Sequence, residues 1–223
     1  MTNLHGKFLV FDGGEGCGKS TQARLLAERL DRDAGIRTHL VHDPGFTRIG
    51  EQVRSLLLNP ENTDMGMRCE MLLYMAARAQ MMVEKILPVL EQGHVVISDR
   101  FVSSTLAYQL GGDGLTADEI RRVAEIAIKG RWPDLTILLD MPLERSSARV
   151  QPKFEIPLPF PEQFKPKRAK DRIEQRPPEY HEQVRQNYLA QAKADPARHR
   201  VISADRTIEA IHCEIWNVVM ELQ

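Results

Sequence analysis

Cysteine is scarce in this chain: Cys17, Cys69 and Cys213 are the only three among 223 residues. An odd count without metal-type spacing excludes a disulfide framework and reads as reduced thiols in a cytoplasmic protein. No uninterrupted apolar run approaches membrane length, and the opening MTNLHGK holds no apolar core of an export signal, so no membrane partner is expected. Charge of one sign is missing as well. Thirty Lys and Arg against 31 Asp and Glu give a formal net charge of −1, which argues against a general nucleic-acid surface. There is no internal repeat. The length suits one large α/β domain with a substantial core.

What is present is concentrated first in Lys7 to Thr21, KFLVFDGGEGCGKST. Phe8 to Phe11 are a short apolar run that fits a strand buried on both faces. Gly13-x4-Gly18-Lys19-Ser20 then fits the phosphate-binding loop pattern, and Ala23, Leu25, Leu26 and Leu30 continue at helical spacing. Each part has a mechanical reason. Glycines at 13, 14, 16 and 18 let the backbone curl so that its N–H groups, with those of Glu15, Cys17 and Thr21, converge on phosphate. The helix starting near Lys19 adds its positive dipole end. Lys19 is a mobile point charge for the outer phosphates, and the Ser20 hydroxyl suits Mg²⁺. These residues predict binding of a nucleoside triphosphate.

The rest of the chain alternates strand and helix. Thr38–Val41, His94–Ser98, Leu135–Leu139 and Arg200–Ser203 are the further strands, giving five in all. The alternation predicts a mostly parallel sheet covered on both faces. Arg68 to Gln92 is a long helical stretch, apolar nearly all round, which suggests burial on several sides and a second subunit against it; Pro88 should kink its end. Thr116-x-x-Glu119 makes a capping box before another helix. Residues 151–167 break the rhythm with five prolines, reading as a loop or excursion.

Ligands of a parallel sheet collect beyond the carboxyl ends of its strands. There the sequence places the phosphate loop with Glu15, then Asp43-Pro44 with Arg54 beyond, then Asp99-Arg100. An acid ending a strand suits Mg²⁺ or its water, and an arginine beside it forks onto phosphate. A nucleotide-operated switch is the rival class. Against it, the chain has no Asn-Lys-x-Asp motif and no acid-x-x-Gly element after a strand, and Ser203-Ala204-Asp205 is only superficially similar to a switch base loop.

FDGGEGCGKST, DPGFT…GEQVR, LLYMAARAQ, SDRFVSSTLAYQ, PDLTILLD and DRIE, in that order, make the chain resemble a bacterial-type thymidylate kinase over nearly its whole length. The resemblance implies one doubly wound α/β domain, a homodimer through helix 68–92, and Mg²⁺-dependent transfer of the ATP γ-phosphoryl to dTMP. Other nucleoside monophosphate or deoxynucleoside kinases are the nearer alternative. Carried over by position, Arg54 and Arg100 grip the acceptor phosphate, while Tyr74 stacks on thymine and Arg78 donates to its O4. Thr105 and Gln109 complete base recognition, with Ser104, Asp43 and Pro44 lining the acceptor. Tyr108 fills the space of a ribose 2′-hydroxyl, and Glu15 accepts from the sugar 3′-hydroxyl. Asp99 and Ser20 serve the metal. The phosphate loop holds no arginine, so the cation for the transferring group is expected from a lid at about 149–172, with Arg168 and Arg172 favoured over Arg149. The usual Arg-Glu-Pro-Gly-Gly after the second strand is replaced by His42-Asp43-Pro44-Gly45-Phe46, which removes one phosphate contact and puts a bulky ring beside the acceptor.

Overall fold

The computed structural model describes residues 4–149 and 171–222, so the proline-rich stretch at 151–167 and Arg168 lie outside the described residues. Five strands, β1 (Phe8–Gly13), β2 (Thr38–His42), β3 (Val95–Asp99), β4 (Leu135–Asp140) and β5 (His199–Ser203), form one sheet in the order β2-β3-β1-β4-β5. All pairings are parallel. The three inner strands are buried almost throughout, in keeping with their largely apolar sequences, whereas edge strands β2 and β5 each bury a single residue, Val41 and Ile202. The first strand therefore lies at the centre of the sheet, and the loop that follows it opens at the middle of the carboxyl edge.

The helices are α1 (Lys19–Ala34), α2 (Arg48–Leu58), α3 (Met67–Met81), α4 (Leu87–Glu91), α5 (Val102–Tyr108), α6 (Ala117–Ile128), α7 (Leu143–Arg149), α8 (Pro178–Ala194) and α9 (Ile208–Met220). On one face α1 contributes Ala23, Leu26 and Leu30, and α9 contributes Ile211, Ile215 and Val219, each set at helical spacing against the sheet. A fully buried Leu26 or Ile215 stabilises the fold by roughly 1.5–3 kcal/mol relative to exposure. The other face packs Met71, Met75 and Ile120 from α3 and α6 against Phe8, Val10 and Phe101. The expected capping box is formed, with Thr116 accepting from the Glu119 backbone N–H and the Glu119 carboxylate accepting from that of Thr116.

The long 68–92 stretch is one path with a defect in it. A π-helical turn, Met82–Ile86, separates α3 from α4. Pro88 has no N–H for the carbonyl of Glu84 and its ring crowds that carbonyl, so the widened turn sits one turn ahead of the proline. Burial is less complete than the composition suggests, for Leu72 is 53% and Val83 48% exposed. Among the described residues, no helix is long and apolar enough to cross a membrane.

Candidate active site

The phosphate loop leaves β1 at Gly13 and enters α1 at Gly18, both with positive φ. At Gly13 a Cβ would stand 2.4 Å from the Leu139 carbonyl oxygen, so only glycine lets β1 turn this close to β4. Lys19 is buried and donates from Nζ to the Gly14 carbonyl at 2.6 Å. Burial and the nearby Arg100 push its pKa down, but Cys17, Glu15 and Asp99 outweigh them, so it stays charged above the ordinary lysine range. Beside it the Ser20 hydroxyl donates to the Asp99 carboxylate. These two oxygens come from separate elements, the start of α1 and the end of β3.

Arg100 follows directly, with φ of 71°, a left-handed backbone that a non-glycine residue holds only when its surroundings fix it. They do so here. Its guanidinium donates to the Gly13 carbonyl at 3.2 Å, to Ser104 Oγ at 3.1 Å, to the Tyr188 hydroxyl at 3.2 Å and to Glu15. Fully buried Asp12 stands 3.9 Å away and accepts from Ser103, from Ser104 at 2.5 Å and from the Tyr188 hydroxyl at 2.8 Å. Arg100 holds the Glu15 carboxyl down to about 2, against the opposing effect of burial. A single guanidinium thus links the phosphate loop, β1, α5 and α8.

A cleft of about 1330 Å³ runs along this edge. In its middle are Glu15 through Ser20, Asp99 and Arg100. One end is lined by Asp43, Pro44, Phe46, Arg54, Tyr74 and Arg78, with Ser104, Thr105, Tyr108 and Gln109 from α5 and its end. All the expected acceptor residues are therefore brought together. Buried Arg78 donates from Nε to Asp43 Oδ2 at 2.6 Å, from Nη1 to Thr105 Oγ1 at 3.2 Å and from Nη2 to the Phe101 carbonyl at 3.1 Å. Burial pushes the Asp43 carboxyl up despite Arg78, and its second oxygen, Oδ1, is buried without a partner. Arg54 donates to the Pro44 carbonyl at 2.8 Å. Phe46, where glycine was expected, has φ of 62° and sets its ring edge-on to His42 at 5.4 Å; Glu51 accepts from the Phe46 N–H at 2.7 Å and meets His42 Nε2 at 3.0 Å.

The other end of the cleft holds Arg149, Arg206, Thr207 and Ile208. The family model described as thymidylate kinase matches residues 11–215, spanning this whole edge. This chain belongs to the thymidylate kinase family. It is 41% identical over 216 residues to the thymidylate kinase of Halothermothrix orenii, covering 97% of each chain. To that of Desulforudis audaxviator it is 39% identical over 219 residues, covering 98% of this chain and 92% of the relative. The crystal structure of thymidylate kinase from Ehrlichia chaffeensis superposes with a TM-score of 0.74 at 28% identity, covering 96% of this chain and 98% of that one. The family's reaction is phosphorylation of dTMP, and this chain is a phosphotransferase of that kind.

Within the thymidylate kinase frame, one of the two favoured lid arginines needs correcting, since Arg168 lies outside the described residues. Arg172 is not brought into the cleft. Its guanidinium is buried, donating to Glu70 and to the Leu57 carbonyl at 3.1 Å, because Glu70 is a buried anion that requires a counter-charge. Arg149, the less favoured candidate on sequence, does line the cleft, donating to the Ala204 carbonyl at 3.1 Å. Sequence reading also missed Asp12, Glu70, Arg176 and Tyr188. An acid directly before the loop was a visible signal for Asp12; the others carry none, since the carboxylates and amide that engage them lie 39 to 176 positions away in sequence.

Proposed function

We propose that ATP lies along the phosphate loop with its base toward Arg149 and Arg206, and that dTMP occupies the opposite end with its base among Tyr74, Arg78, Thr105 and Gln109. The supporting observation is one continuous cleft with Arg100 at the junction of its two halves. Phosphoryl transfer asks little covalent chemistry of a protein; position and charge supply the rate. Lys19 serves the donor phosphates, while Arg100 and Arg54 aim the acceptor phosphate, which is ionised near neutral pH and needs no strong base. Glu15, with one oxygen on Arg100, is placed for the sugar 3′-hydroxyl. Tyr108 packs beside it, its ring 5.3 Å from the Arg100 guanidinium, and excludes a 2′-hydroxyl.

Mg²⁺ fits the Ser20–Asp99 pair. Two hard oxygens converge at the foot of the loop, and the Ser20 hydroxyl and the Asp99 carboxylate would hold the ion there, directly or through water. When bound it neutralises charge on the transferring group. We further propose a cytoplasmic homodimer formed through α3 and the turn after it, supported by exposed Leu72 and Val83 and by Leu56 on neighbouring α2, 52% exposed. Light scattering should give twice the 25.4 kDa chain mass. For the reaction itself, Lys19→Ala should abolish ADP formation while dTMP binding, read calorimetrically, persists. Near-normal turnover in that variant overturns the loop assignment.

A further inference from the structure

We propose that Glu70, which lines no part of the cleft, sets the base preference of this kinase by fixing which way round the Gln109 amide stands. The inference rests on the placing of the acceptor base beside Gln109. Glu70 lies on α3, one turn before Tyr74 and two before Arg78, and is fully buried. Both of its carboxylate oxygens are engaged. Oε2 accepts from Arg172 and from Arg176 at 2.6 Å, and Oε1 accepts from Gln109 Nε2 at 2.7 Å. The arginines come from the segment just before α8 and Gln109 from the end of α5.

A carboxylate with two guanidiniums on one oxygen has no proton to offer, so toward Gln109 it only accepts. The amide must then present its NH₂ group to Glu70. That removes the usual ambiguity of a glutamine side chain, for chemistry alone assigns the nitrogen. Gln109 is buried and lines the cleft, so its carbonyl oxygen is left for whatever enters. An acceptor there suits the N3–H of thymine or uracil. Cytosine brings a lone pair at N3 and a donor amino group at C4, which also meets the donor-only guanidinium of Arg78. Glu70 thus extends the pattern by one residue behind the site: anion, amide, base. The same anion ties down Arg172 and Arg176, so its orientation does not depend on the ligand.

The test compares kcat/KM for dTMP, dUMP and dCMP. In Glu70→Gln the two arginines claim the new amide oxygen, its NH₂ faces Gln109, and Gln109 must turn over to accept. Its donor end then meets N3. The dTMP:dCMP ratio of kcat/KM should fall at least ~10-fold, well inside the range by which paired polar groups discriminate, with dUMP following dTMP. The exchanged pair Glu70→Gln/Gln109→Glu should recover the preference, because an acceptor again faces the base. A residue that merely held the fold together would lower all three activities alike and show no such recovery. Gln109→Leu is the separate check on the base placement: an unchanged ratio there rejects the placing of the base beside Gln109. A collapsed ratio in Gln109→Leu together with an unchanged one in Glu70→Gln overturns the role of Glu70 alone. Should the Glu70 variants fail to fold, ¹⁵N spectra of the wild-type protein decide. The Gln109 side-chain NH₂ signal, identified by its loss in Gln109→Leu, should hold its position on saturation with dTMP. A shift to that of a newly bonded donor overturns the inference.

Discussion

Arg78 and Asp43 form an ion pair in which both side chains are 1% exposed, and this makes Arg78→Met an informative perturbation. Methionine keeps the length of the stem and removes every donor. Asp43, Thr105 and the Phe101 carbonyl then lose their partner at once. Breaking a buried pair by removing one member costs about 3–5 kcal/mol, because the remaining charge is left uncompensated. In a protein of this size each kcal/mol moves Tm by about 2–4 °C, so a fall of roughly 10 °C is expected in a thermal melt near neutral pH. The cost should depend on pH. Burial already pushes the Asp43 carboxyl up, and without Arg78 it rises further. The folded variant then binds a proton that the unfolded chain does not, across the window from the ordinary value of 3.8 up to the raised one. Stability of the variant therefore falls as pH rises through that window, and its deficit is largest at neutral pH. Adding Asp43→Asn should return much of the lost Tm. The KM for dTMP should stay raised about 5- to 150-fold in both variants, the equivalent of about 1–3 kcal/mol for a base oxygen left without its donor. If the single variant melts like the wild type, the buried-pair reasoning is wrong; if the double variant restores KM together with Tm, Arg78 serves Asp43 and not the base.

Tyr108→Ala should raise the kcat/KM for ribonucleotide acceptors relative to dTMP, while Tyr108→Phe leaves that ratio alone; an unmoved ratio in the alanine variant means the ring only packs on Tyr180 and Tyr188. Arg149→Ala should raise KM for ATP about 2- to 30-fold, the span of a lost cation–π stack, with KM for dTMP unchanged. A loss in kcat of ~10²-fold or more at constant ATP affinity would instead assign Arg149 to the transferring phosphoryl, the role first expected of Arg168 or Arg172. Glu15 has its carboxyl held near 2 by Arg100, below the ordinary 4.5, so it contributes stability above pH 4.5 that is lost as pH falls through about 2. With the side chain 47% exposed, screening reduces that contribution to about 1 kcal/mol. Glu15→Gln should flatten the acid limb of an unfolding profile between those values.

The sequence alone determined the sheet, the loop and most of the residues that the fold gathers at the Asp43–Arg78 end of the cleft. Phe8 to Phe11 are apolar without alternation, and Leu135 to Leu139 are apolar but for Thr136; runs this short between turn signals suit strands covered on both faces. Gly13 to Ser20 carries a phosphate-loop pattern recognisable within eight residues, although the close approach to Leu139 that makes Gly13 necessary is visible only in the fold. Tyr74, Arg78, Thr105 and Gln109 were legible through the resemblance, and for Tyr74 and Arg78 the four-residue spacing along α3 also fixes a shared face. Tertiary structure alone decided how the charges pair. Whether an arginine serves a ligand or a buried anion depends on which carboxylate the fold delivers to it, and no local pattern records that. Arg172 was read as a lid cation from its neighbours in sequence, but the fold sets it against Glu70, 102 positions away. Arg149 was ranked behind Arg168 and Arg172, yet the close of α7 carries it to the Ala204 carbonyl at the end of β5. The widened turn ahead of Pro88 has the same character: the proline announces a disturbance, and packing of Met82 and Ile86 against the sheet decides its form. Apolar periodicity is a property of single elements and survives in sequence, whereas the pairing of buried charges is a property of their meeting.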